Sequence, residues 1–400
     1  MKRVTIVGGG FSGLATAYFL ASESIPVTLV EKQPRLGGLI DTLKTPEGIV
    51  ETAASGIRNS RRLEQLCGEL GVPLVGTRRE SRRRFLFRDG KPRQWPLTAG
   101  ESLGFAGRLA GNLAVGRFRP RPGETIETWG RRVLGAPATR QILGAALQGI
   151  YAGDPAQLSA NLIFGKKEKP AKPEKTKGLV APPEGLAQLT AAMGDGIRQL
   201  GGEIRLGASV DTLDGGPVII CTSARDAAAL LRERAPKAAA AIGSIEMVPL
   251  LRVTAFYPES ENTVQGFGTL FPREEGVRAL GVLFNTNIFS DRGEGHSESW
   301  IYGGAQDREI LEYDDAQLFA VLGKDRARLY GRRSDPVALY PQRWKVGLPH
   351  YDLGLETLIR RGIELPKDVF LAGNYLRVID LPMLLDQAWK TASDVRASLS

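Results

Sequence analysis

The sequence contains only two cysteines and two histidines among 400 residues. Cys67 and Cys221 lie far apart and outside any metal-like spacing, which excludes a disulfide scaffold and a thiolate zinc site. His296 and His350 are too few to favour histidine-based catalysis, and we interpret both as structural or exposed residues. We therefore expect a protein of a reducing compartment without a bound metal.

Long apolar segments are also missing. The apolar run at residues 4–7 leads directly into glycines, and no stretch reaches the roughly 18 uncharged apolar residues of a membrane span. We expect a cytoplasmic protein that touches the cytoplasmic face of the inner membrane at most peripherally. The sequence leaves open whether it is a monomer or a homodimer.

Basic residues outnumber acidic ones, with 53 Lys and Arg against 44 Asp and Glu, so the formal net charge is +9. Such an excess raises the local concentration of anionic partners. The basic residues cluster at 78–93, 117–121 and 166–177. Because no nucleic-acid-binding motif accompanies them, we expect no nucleic-acid partner, and a solvated surface is the alternative interpretation of each cluster.

The N-terminal segment predicts a strand, a glycine loop, a helix and a second strand. Residues 3–7 and 27–30 are short apolar runs, and residues 11–21 are rich in alanine and leucine. Together they form a β-α-β unit of the expected length of about thirty residues. The ordinary apolar and charged composition of the chain agrees with a globular protein of two or three domains.

Gly8, Gly10 and Gly13 form a G-x-G-x-x-G pattern between the first strand and the helix. The first glycine permits a tight turn, the second lets the backbone approach a pyrophosphate, and the third allows close helix–strand packing. The helix N-terminus then offers free N–H groups to the phosphates. Glu31, at the end of the second strand, is placed to accept hydrogen bonds from ribose hydroxyls. The pattern therefore predicts a dinucleotide site. No second copy occurs between a strand and a helix, which disfavours a nicotinamide site beside the first.

The rest of the chain alternates helices and strands. Asp89-Gly90 predicts a hairpin turn between strands at 85–88 and 94–97. We expect residues 98–150 to be mainly helical, although the form of the glycine-rich part at 104–116 stays open. Residues 166–178 are rich in Lys, Pro and Glu and predict an exposed loop. Further helices are expected at 61–70, 185–200, 224–234, 315–323, 355–361 and 384–399, and further strands at 203–206, 218–221, 245–257, 279–285, 299–302 and 369–372.

Several later segments carry a family resemblance. They are Arg-Leu-Gly-Gly at 35–38, Glu-Thr-Ala-Ala-Ser-Gly-Ile-Arg at 51–58, Arg-Phe-Leu-Phe at 84–87, Gly-Ile-Tyr-Ala-Gly-Asp at 149–154 with Leu-Ser at 158–159, Gly-Phe-Gly-Thr-Leu-Phe-Pro at 266–272, and Gly-Asn-Tyr-Leu at 373–376. In this order they resemble the protoporphyrinogen and coproporphyrinogen oxidases within the amine-oxidase-like flavoproteins. The segment at 149–159 is the most specific.

The resemblance implies an α/β fold with a Rossmann-like FAD-binding domain, a mixed-sheet substrate domain and a helical cap. The FAD domain would be discontinuous, comprising residues 1–78, 179–240 and 362–400. The substrate domain would comprise 79–97 and 241–361, and the cap 98–178, with its arginine-interrupted helical part as the expected membrane contact. FAD would be the cofactor, with residues from the fingerprint and from the similar segments in contact with it: Gly8, Gly10, Phe11, Ser12, Gly13, Glu31, Lys32, Gly37, Gly38, Gly56, Ile57, Arg58, Val210 on a strand-like segment at 207–210, Gly373, Asn374 and Leu381.

The implied activity is the six-electron oxidation of a porphyrinogen in haem biosynthesis, with oxygen as the electron acceptor. The flavin carries that chemistry, so no catalytic side chain is required. The substrate is a flat apolar ring with propionates, which suits guanidinium groups and small or apolar walls. Arg84 corresponds to the family's propionate-contacting arginine, with Arg82 and Arg83 as weaker candidates. The remaining substrate candidates are Gly149, Ala152, Gly153, Phe267 and Leu283.

The segment after Gly-Asn-Tyr-Leu departs from the family, because Arg377 and its neighbours replace a glycine pair expected beside the flavin. Three hypotheses therefore stay open. The first is an oxygen-dependent protoporphyrinogen IX oxidase, with coproporphyrinogen III as the alternative substrate. The second is another enzyme of the superfamily, such as a desaturase, and the third is a binding protein that has lost turnover.

Overall fold

The computed structural model describes residues 2–165, 178–213, 216–376 and 379–399. The expected Lys/Pro-rich loop, apart from Gly178, and the departure at Arg377 lie outside the described residues. The strands are β1 (Val4–Val7), β2 (Val27–Glu31), β3 (Thr42–Thr45), β4 (Gly48–Glu51), β5 (Ile57–Arg58), β6 (Val75–Gly76), β7 (Arg84–Arg88), β8 (Lys91–Arg93), β9 (Leu179–Ala181), β10 (Glu203–Leu206), β11 (Val218–Ile220), β12 (Met247–Tyr257), β13 (Gly268–Leu270), β14 (Gly281–Phe284), β15 (His296–Gly303), β16 (Ala338–Pro349) and β17 (Val369–Leu371).

The helices follow the same order. They are α1 (Phe11–Ser22), α2 (Arg61–Glu69), α3 (Ala99–Ala114), α4 (Ile126–Val133), α5 (Ala136–Ala138), α6 (Ala145–Tyr151), α7 (Ala160–Phe164), α8 (Leu186–Gln199), α9 (Ala224–Leu231), α10 (Pro236–Gly243), α11 (Asn285–Ile288), α12 (Asp315–Tyr330), α13 (Leu353–Arg361) and α14 (Leu381–Leu399). A π-helical turn, Thr139–Gly144, joins α5 to α6.

A five-stranded parallel sheet has the order β10-β2-β1-β11-β17. Its strands come from three widely separated parts of the chain, which meet because β1 pairs with β2 on one side and β11 on the other. All five residues of β2 are buried, as expected for a strand covered on both faces. The predicted α/β fold with a discontinuous dinucleotide-binding sheet is confirmed, whereas the domain boundaries stay a prediction.

Helix α1 lies against this sheet and is covered by α8 and α14. Ten of its twelve residues are buried, and many of them are small, which lets three helices approach closely. The apolar side chains of Leu14, Ile6 and Leu29 are fully buried in the same core. This core fixes the N-terminus of α1 at the carboxyl end of β1.

A seven-stranded mixed sheet has the order β16-β12-β15-β14-β13-β7-β8. One face packs on α12 through an apolar core that includes Val253, Trp300 and Leu322. The side chain of Arg252 points the opposite way, since its guanidinium donates a hydrogen bond to the Ala53 carbonyl before β5. This second face therefore looks toward the loops of the parallel sheet.

Two expected strands were wrong, because one begins at a different residue and the other segment is not a strand. Asp89 and Gly90 have φ angles of +54° and +73°, so they form a two-residue turn and β8 begins at once with Lys91 instead of at 94. The segment 207–210 is not a strand, because Gly207 turns the chain with φ +64°. It instead runs beside the end of β2, where Ala208 donates to the Glu31 carbonyl at 3.1 Å.

The helical region begins with α3, whose N-terminus is fixed by a capping box between Thr98 and Glu101. This settles the glycine-rich part at 104–116 as mostly helix. The side chain of Glu101 also accepts two hydrogen bonds from Arg88, which ties α3 to the hairpin. The structure describes every residue of α3, and none is buried. Within the described part of the chain, no helix has the length and apolar character needed to cross a membrane.

Candidate dinucleotide and substrate site

The glycine loop between β1 and α1 has the geometry that its sequence predicts. A Cβ atom on Gly8 would lie 2.8 Å from the Cys221 carbonyl oxygen, and Gly8 has φ +108°. A Cβ on Gly13 would lie 1.9 Å from the Gly8 carbonyl oxygen. Among the described residues, a Cβ on Gly10 would meet only the Cα of Gly38, at 3.9 Å. The first and third glycines are thus required by the fold, whereas the second faces open space where a phosphate fits.

The groove beside Gly10 is closed on its other side by Gly37 and Gly38. Gly37 donates a hydrogen bond to the Gly9 carbonyl at 2.8 Å and forms a bridge with Gly10. Both Gly37 and Gly38 have positive φ, which suits glycine. No side chain of the described residues caps the first turn of α1, so the N–H groups of Phe11 and Ser12 keep their capacity to bind an anion beside Gly10. These features fit a diphosphate group.

Glu31 is buried at the end of β2, beside the glycine loop. Its carboxylate accepts hydrogen bonds from the Gly9 N–H at 2.6 Å and the Gln33 N–H at 2.8 Å. Each oxygen keeps a second lone pair that a ribose hydroxyl can use. The neighbouring Lys32 forms an exposed ion pair with Asp226 at 2.9 Å.

The later cofactor candidates converge from distant parts of the chain. Arg58 forms an ion pair of 2.5 Å with Asp380, directly before Leu381, which begins α14. Gly373 donates a backbone hydrogen bond to the side chain of Gln387 in α14. The structure thus brings the segments around β5, β17 and α14 together. Asn374 lies there too, its carbonyl accepting a hydrogen bond from a tyrosine hydroxyl at 2.8 Å, and Ile57 is buried in β5. Val210 is partly buried in an apolar cluster with Leu371.

Arg84, Phe267 and Leu283 lie together at the β7 side of the mixed sheet. Arg84 starts β7 and is exposed, with its guanidinium carbon 4.6 Å from the centre of the Phe267 ring. Gly268 pairs with Arg84 on one side and Leu283 on the other. An exposed guanidinium next to a half-buried aromatic ring can bind the acidic arm and the apolar edge of one ligand.

The small residues at the end of α6 have clear packing roles. A Cβ on Gly149 would lie 2.4 Å from a methyl of Leu270, so the glycine lets α6 touch β13. Ala152 ends the helix with φ +50° and is buried. A Cβ on Gly153 would lie 2.5 Å from Leu158. This turn therefore fixes the cap against the sheet, and its contact with a substrate stays a prediction.

A buried polar cluster on the face of the mixed sheet that looks toward the loops of the parallel sheet was not foreseen. Arg252 is 4% exposed and donates to the Ala53 carbonyl and to the hydroxyls of Ser55 and Ser299, both at 2.8 Å. Arg292 is 3% exposed, and its Nη1 lies 3.6 Å from Glu51 Oε1. A lone arginine within the apolar sequence of β12 was the one signal that could have indicated it.

Burial dominates the titration of this cluster. Desolvation lowers the pKa of Arg252 to about 10 and lowers that of Arg292, while it raises the pKa of the Glu51 carboxyl. Arg252 supports the loop that carries Gly56 through its hydrogen bonds to Ala53 and Ser55. The Phe289 ring packs on the same loop, since a Cβ on Gly56 would lie 2.8 Å from that ring. Arg252 and Phe289 thus hold a loop where the resemblance expects the cofactor.

Both histidines are fully buried and hydrogen-bonded, in agreement with their structural interpretation. His296 Nε2 lies 3.0 Å from Glu298, and His350 Nδ1 lies 2.8 Å from Glu246. Glu246, His350 and Asp352 form a group with metal-ligand geometry. Its atoms already have protein partners, since Glu246 also binds Arg308 and Asp352 accepts from a helix N–H. We assign these three residues to packing of the turn beside β16.

Comparison with known proteins places this geometry in a family. Residues 11–383 match the model of the flavin containing amine oxidoreductases. The chain belongs to that family. Members of the family carry a flavin, and the chain is an FAD-dependent oxidase, in agreement with the open space beside Gly10 at the start of α1.

Curated relatives extend along nearly the whole chain. Chloroplastic protoporphyrinogen oxidase from Nicotiana tabacum is 25% identical, covering 99% of this chain and 85% of the relative. Coproporphyrinogen III oxidase from Bacillus subtilis is 22% identical, covering 98% and 97%.

Solved structures show the same fold. A protein from Exiguobacterium sp. 255-15, assigned as a protoporphyrinogen oxidase, superposes with a TM-score of 0.80 at 20% identity, covering 100% of this chain and 99% of its own. Cyclohexylamine oxidase from Brevibacterium oxydans superposes with a TM-score of 0.75 at 16% identity, covering 99% of both chains. The fold therefore serves more than one kind of substrate, and it does not by itself select one.

Proposed function

We propose that the protein oxidises a porphyrinogen to a porphyrin, with protoporphyrinogen IX as the first candidate substrate. The observation that carries this proposal is the placement of Arg84 over Phe267 in a chain to which the protoporphyrinogen oxidase from Nicotiana tabacum aligns along 99% of its length. Coproporphyrinogen III is the second candidate, favoured by the relative of that name and by the net charge of +9. Both substrates carry propionates that a guanidinium binds well.

The chemistry of each step is a two-electron oxidation. FAD, when bound, supplies the ring that accepts a hydride from a carbon between two pyrroles. Three such steps remove six electrons and six hydrogens in total, and three molecules of oxygen take them up as three molecules of hydrogen peroxide. Oxygen as the acceptor is part of the proposal.

The residues of this chain bind the cofactor and orient the substrate. The Gly8–Gly13 loop and Glu31 hold the adenosine diphosphate end, while Arg252 and Phe289 support the loop at Gly56. Arg84 pairs with a propionate and thereby places the macrocycle edge against Phe267 and Leu283. Arg84 on β7 and Leu283 on β14 are held by strands that both pair with β13, and Phe267 directly precedes β13, so their spacing is fixed before substrate arrives.

The test is porphyrin fluorescence during incubation of the FAD-loaded protein with protoporphyrinogen or coproporphyrinogen in air, corrected for autoxidation. Replacing Arg84 with alanine removes charge-assisted hydrogen bonds, and we expect the KM to rise about tenfold or more with a smaller change in kcat. Arg93→Ala is the matched control, because Arg93 is also an exposed arginine of the same sheet edge. Absence of fluorescence above autoxidation with both substrates would refute the proposal.

We also propose that the protein works in the cytoplasm in peripheral contact with the inner membrane, through α3. The exposed apolar side chains Leu103, Leu113 and Val115 lie on or just after this helix, with Arg108 and Arg117 nearby. Such a pattern suits a surface of anionic lipid. Co-sedimentation with anionic vesicles should be lost on Leu103→Ser with Leu113→Ser, and equal sedimentation of this double variant would contradict the proposal.

A further inference from the structure

Two buried arginines lie between the mixed sheet and the loop that carries Gly56, where the cofactor is expected. Arg252 and Arg292 are both almost completely buried. The guanidinium of Arg252 donates hydrogen bonds to the Ala53 carbonyl and to the Ser55 hydroxyl, directly before Gly56. Because both acceptors belong to this loop, the positive charge of Arg252 is held in a fixed position against it.

Negative charge does not balance the two arginines. Among the described residues that line the small cavity beside them, Glu51 is the one carboxylate. Its Oε1 lies 3.6 Å from Arg292 Nη1, and burial raises the pKa of its carboxyl. The cavity has a volume of about 10 Å³, which leaves room for at most one water molecule and none for a counter-ion. Two guanidinium groups and one carboxylate therefore give this buried cluster a net positive charge.

The charge of the cluster is poorly screened. Desolvation lowers the pKa of Arg252 to about 10, which still leaves its guanidinium protonated at pH 8. The ion pair directly after the loop, between Arg58 and Asp380, has no net charge, and both side chains are partly exposed. A charge in a dry interior acts over a longer distance than a charge in water. The loop at Gly56 therefore lies in the field of a net positive charge.

We propose that Arg252 raises the reduction potential of the bound flavin. A hydride carries two electrons and one proton, so the ring that accepts it gains one negative charge. A fixed positive charge nearby stabilises this reduced form relative to the oxidised one. Arg252 is thus a positioning residue whose charge also favours acceptance of the hydride. The inference rests on the FAD cofactor and on its expected place at Gly56, and not on the identity of the substrate.

The test is the reduction potential of the FAD-loaded protein, measured at pH 8 against a redox dye without any porphyrinogen. Arg252→Gln removes the positive charge and should lower the equilibrium constant for two-electron reduction about tenfold, or about 30 mV. Glu51→Gln removes the buried carboxylate but keeps an acceptor for the Leu186 N–H. Because the net positive charge then grows, this variant should raise the same constant about tenfold.

Glu298→Gln is the matched control for Glu51→Gln. Glu298 is also a buried carboxylate, but its hydrogen bonds with Trp300 and Arg326 place it on the opposite face of the mixed sheet, which packs on α12. This variant makes the same chemical change at a greater distance from the loop. We expect its equilibrium constant for reduction to stay within about threefold of the wild-type value.

Shifts of opposite sign in Arg252→Gln and Glu51→Gln, with little change in Glu298→Gln, support the proposal. Shifts of the same sign would show that both substitutions only displace the loop, and they overturn it. A change below about threefold in either FAD-loaded variant, or an equal rise in Glu51→Gln and Glu298→Gln, also overturns it. If Arg252→Gln does not retain FAD, the comparison of the two carboxylate variants decides. Because no porphyrinogen is present, the result is independent of the fluorescence assay for the proposed activity.

Discussion

Gly10 offers a substitution that separates cofactor binding from folding. Its φ and ψ of −73° and −179° suit any residue, and the nearest described atom to an added methyl group would be 3.9 Å away. Alanine at this position should therefore leave the apo protein folded. The methyl would occupy the space between the loop and Gly38, where the diphosphate is expected.

The magnitude follows from the contacts at stake. Displacing the diphosphate from the N–H groups of the first turn of α1 weakens about two charge-assisted hydrogen bonds, or about 2–4 kcal/mol in total. This corresponds to a fall in FAD affinity of roughly 30-fold to 1,000-fold. The apo protein should change by a few tenths of a kcal/mol, since alanine replaces glycine at a helix start.

Gly13→Ala is the contrasting control. The added methyl would lie 1.9 Å from the Gly8 carbonyl oxygen, so β1 and α1 would have to separate. We expect a loss of about 2 kcal/mol or more in the stability of the apo protein itself. FAD titration by quenching of flavin fluorescence, together with urea unfolding of the apo proteins, measures both quantities. Wild-type FAD affinity in Gly10→Ala would refute this assignment of the groove.

Two further predictions concern stability. Glu298 is fully buried and accepts hydrogen bonds from Trp300, Arg326 and Tyr330. Glu298→Ala should therefore lower the free energy of unfolding in urea by about 3–5 kcal/mol. A loss below about 1 kcal/mol would contradict its structural role. Hydrogen bonds from Arg88 lower the pKa of Glu101 from 4.5 to about 2. The ionised carboxylate therefore stabilises the fold above pH 4.5, by about 1 kcal/mol, and this stabilisation is lost as the pH falls toward 2. Glu101→Gln should remove this difference, and identical unfolding curves of the two proteins at pH 6 would contradict it.

The sequence was most informative where local chemistry decides structure. The strand, glycine loop and helix at the N-terminus were predicted within one residue, because the short apolar runs and the three glycines act over a short distance. Asp89-Gly90 likewise predicted a turn. Its second strand was misplaced, since a two-residue turn needs strand pairing to begin at Lys91.

Features that depend on distant pairing could not be predicted. Strand β16 was missed because Pro341 lies within it, and proline is tolerated there only because β16 is the edge of the sheet. Glu51, Arg252 and Arg292 come from three remote segments, and only Arg252, within the apolar sequence of β12, stands out in its own window. Their shared burial follows from the docking of the mixed sheet against the parallel one.

Anaerobic mixing tests the proposed oxidation of a porphyrinogen most directly. The FAD-loaded protein is combined with one equivalent of protoporphyrinogen or coproporphyrinogen, and the absorbance of the oxidised flavin is followed by stopped flow. We expect that this absorbance falls with at least one of the two substrates, that air restores it, and that Arg84→Ala slows the fall at low substrate concentration. An oxidised flavin spectrum that both porphyrinogens leave unchanged would contradict the proposed activity.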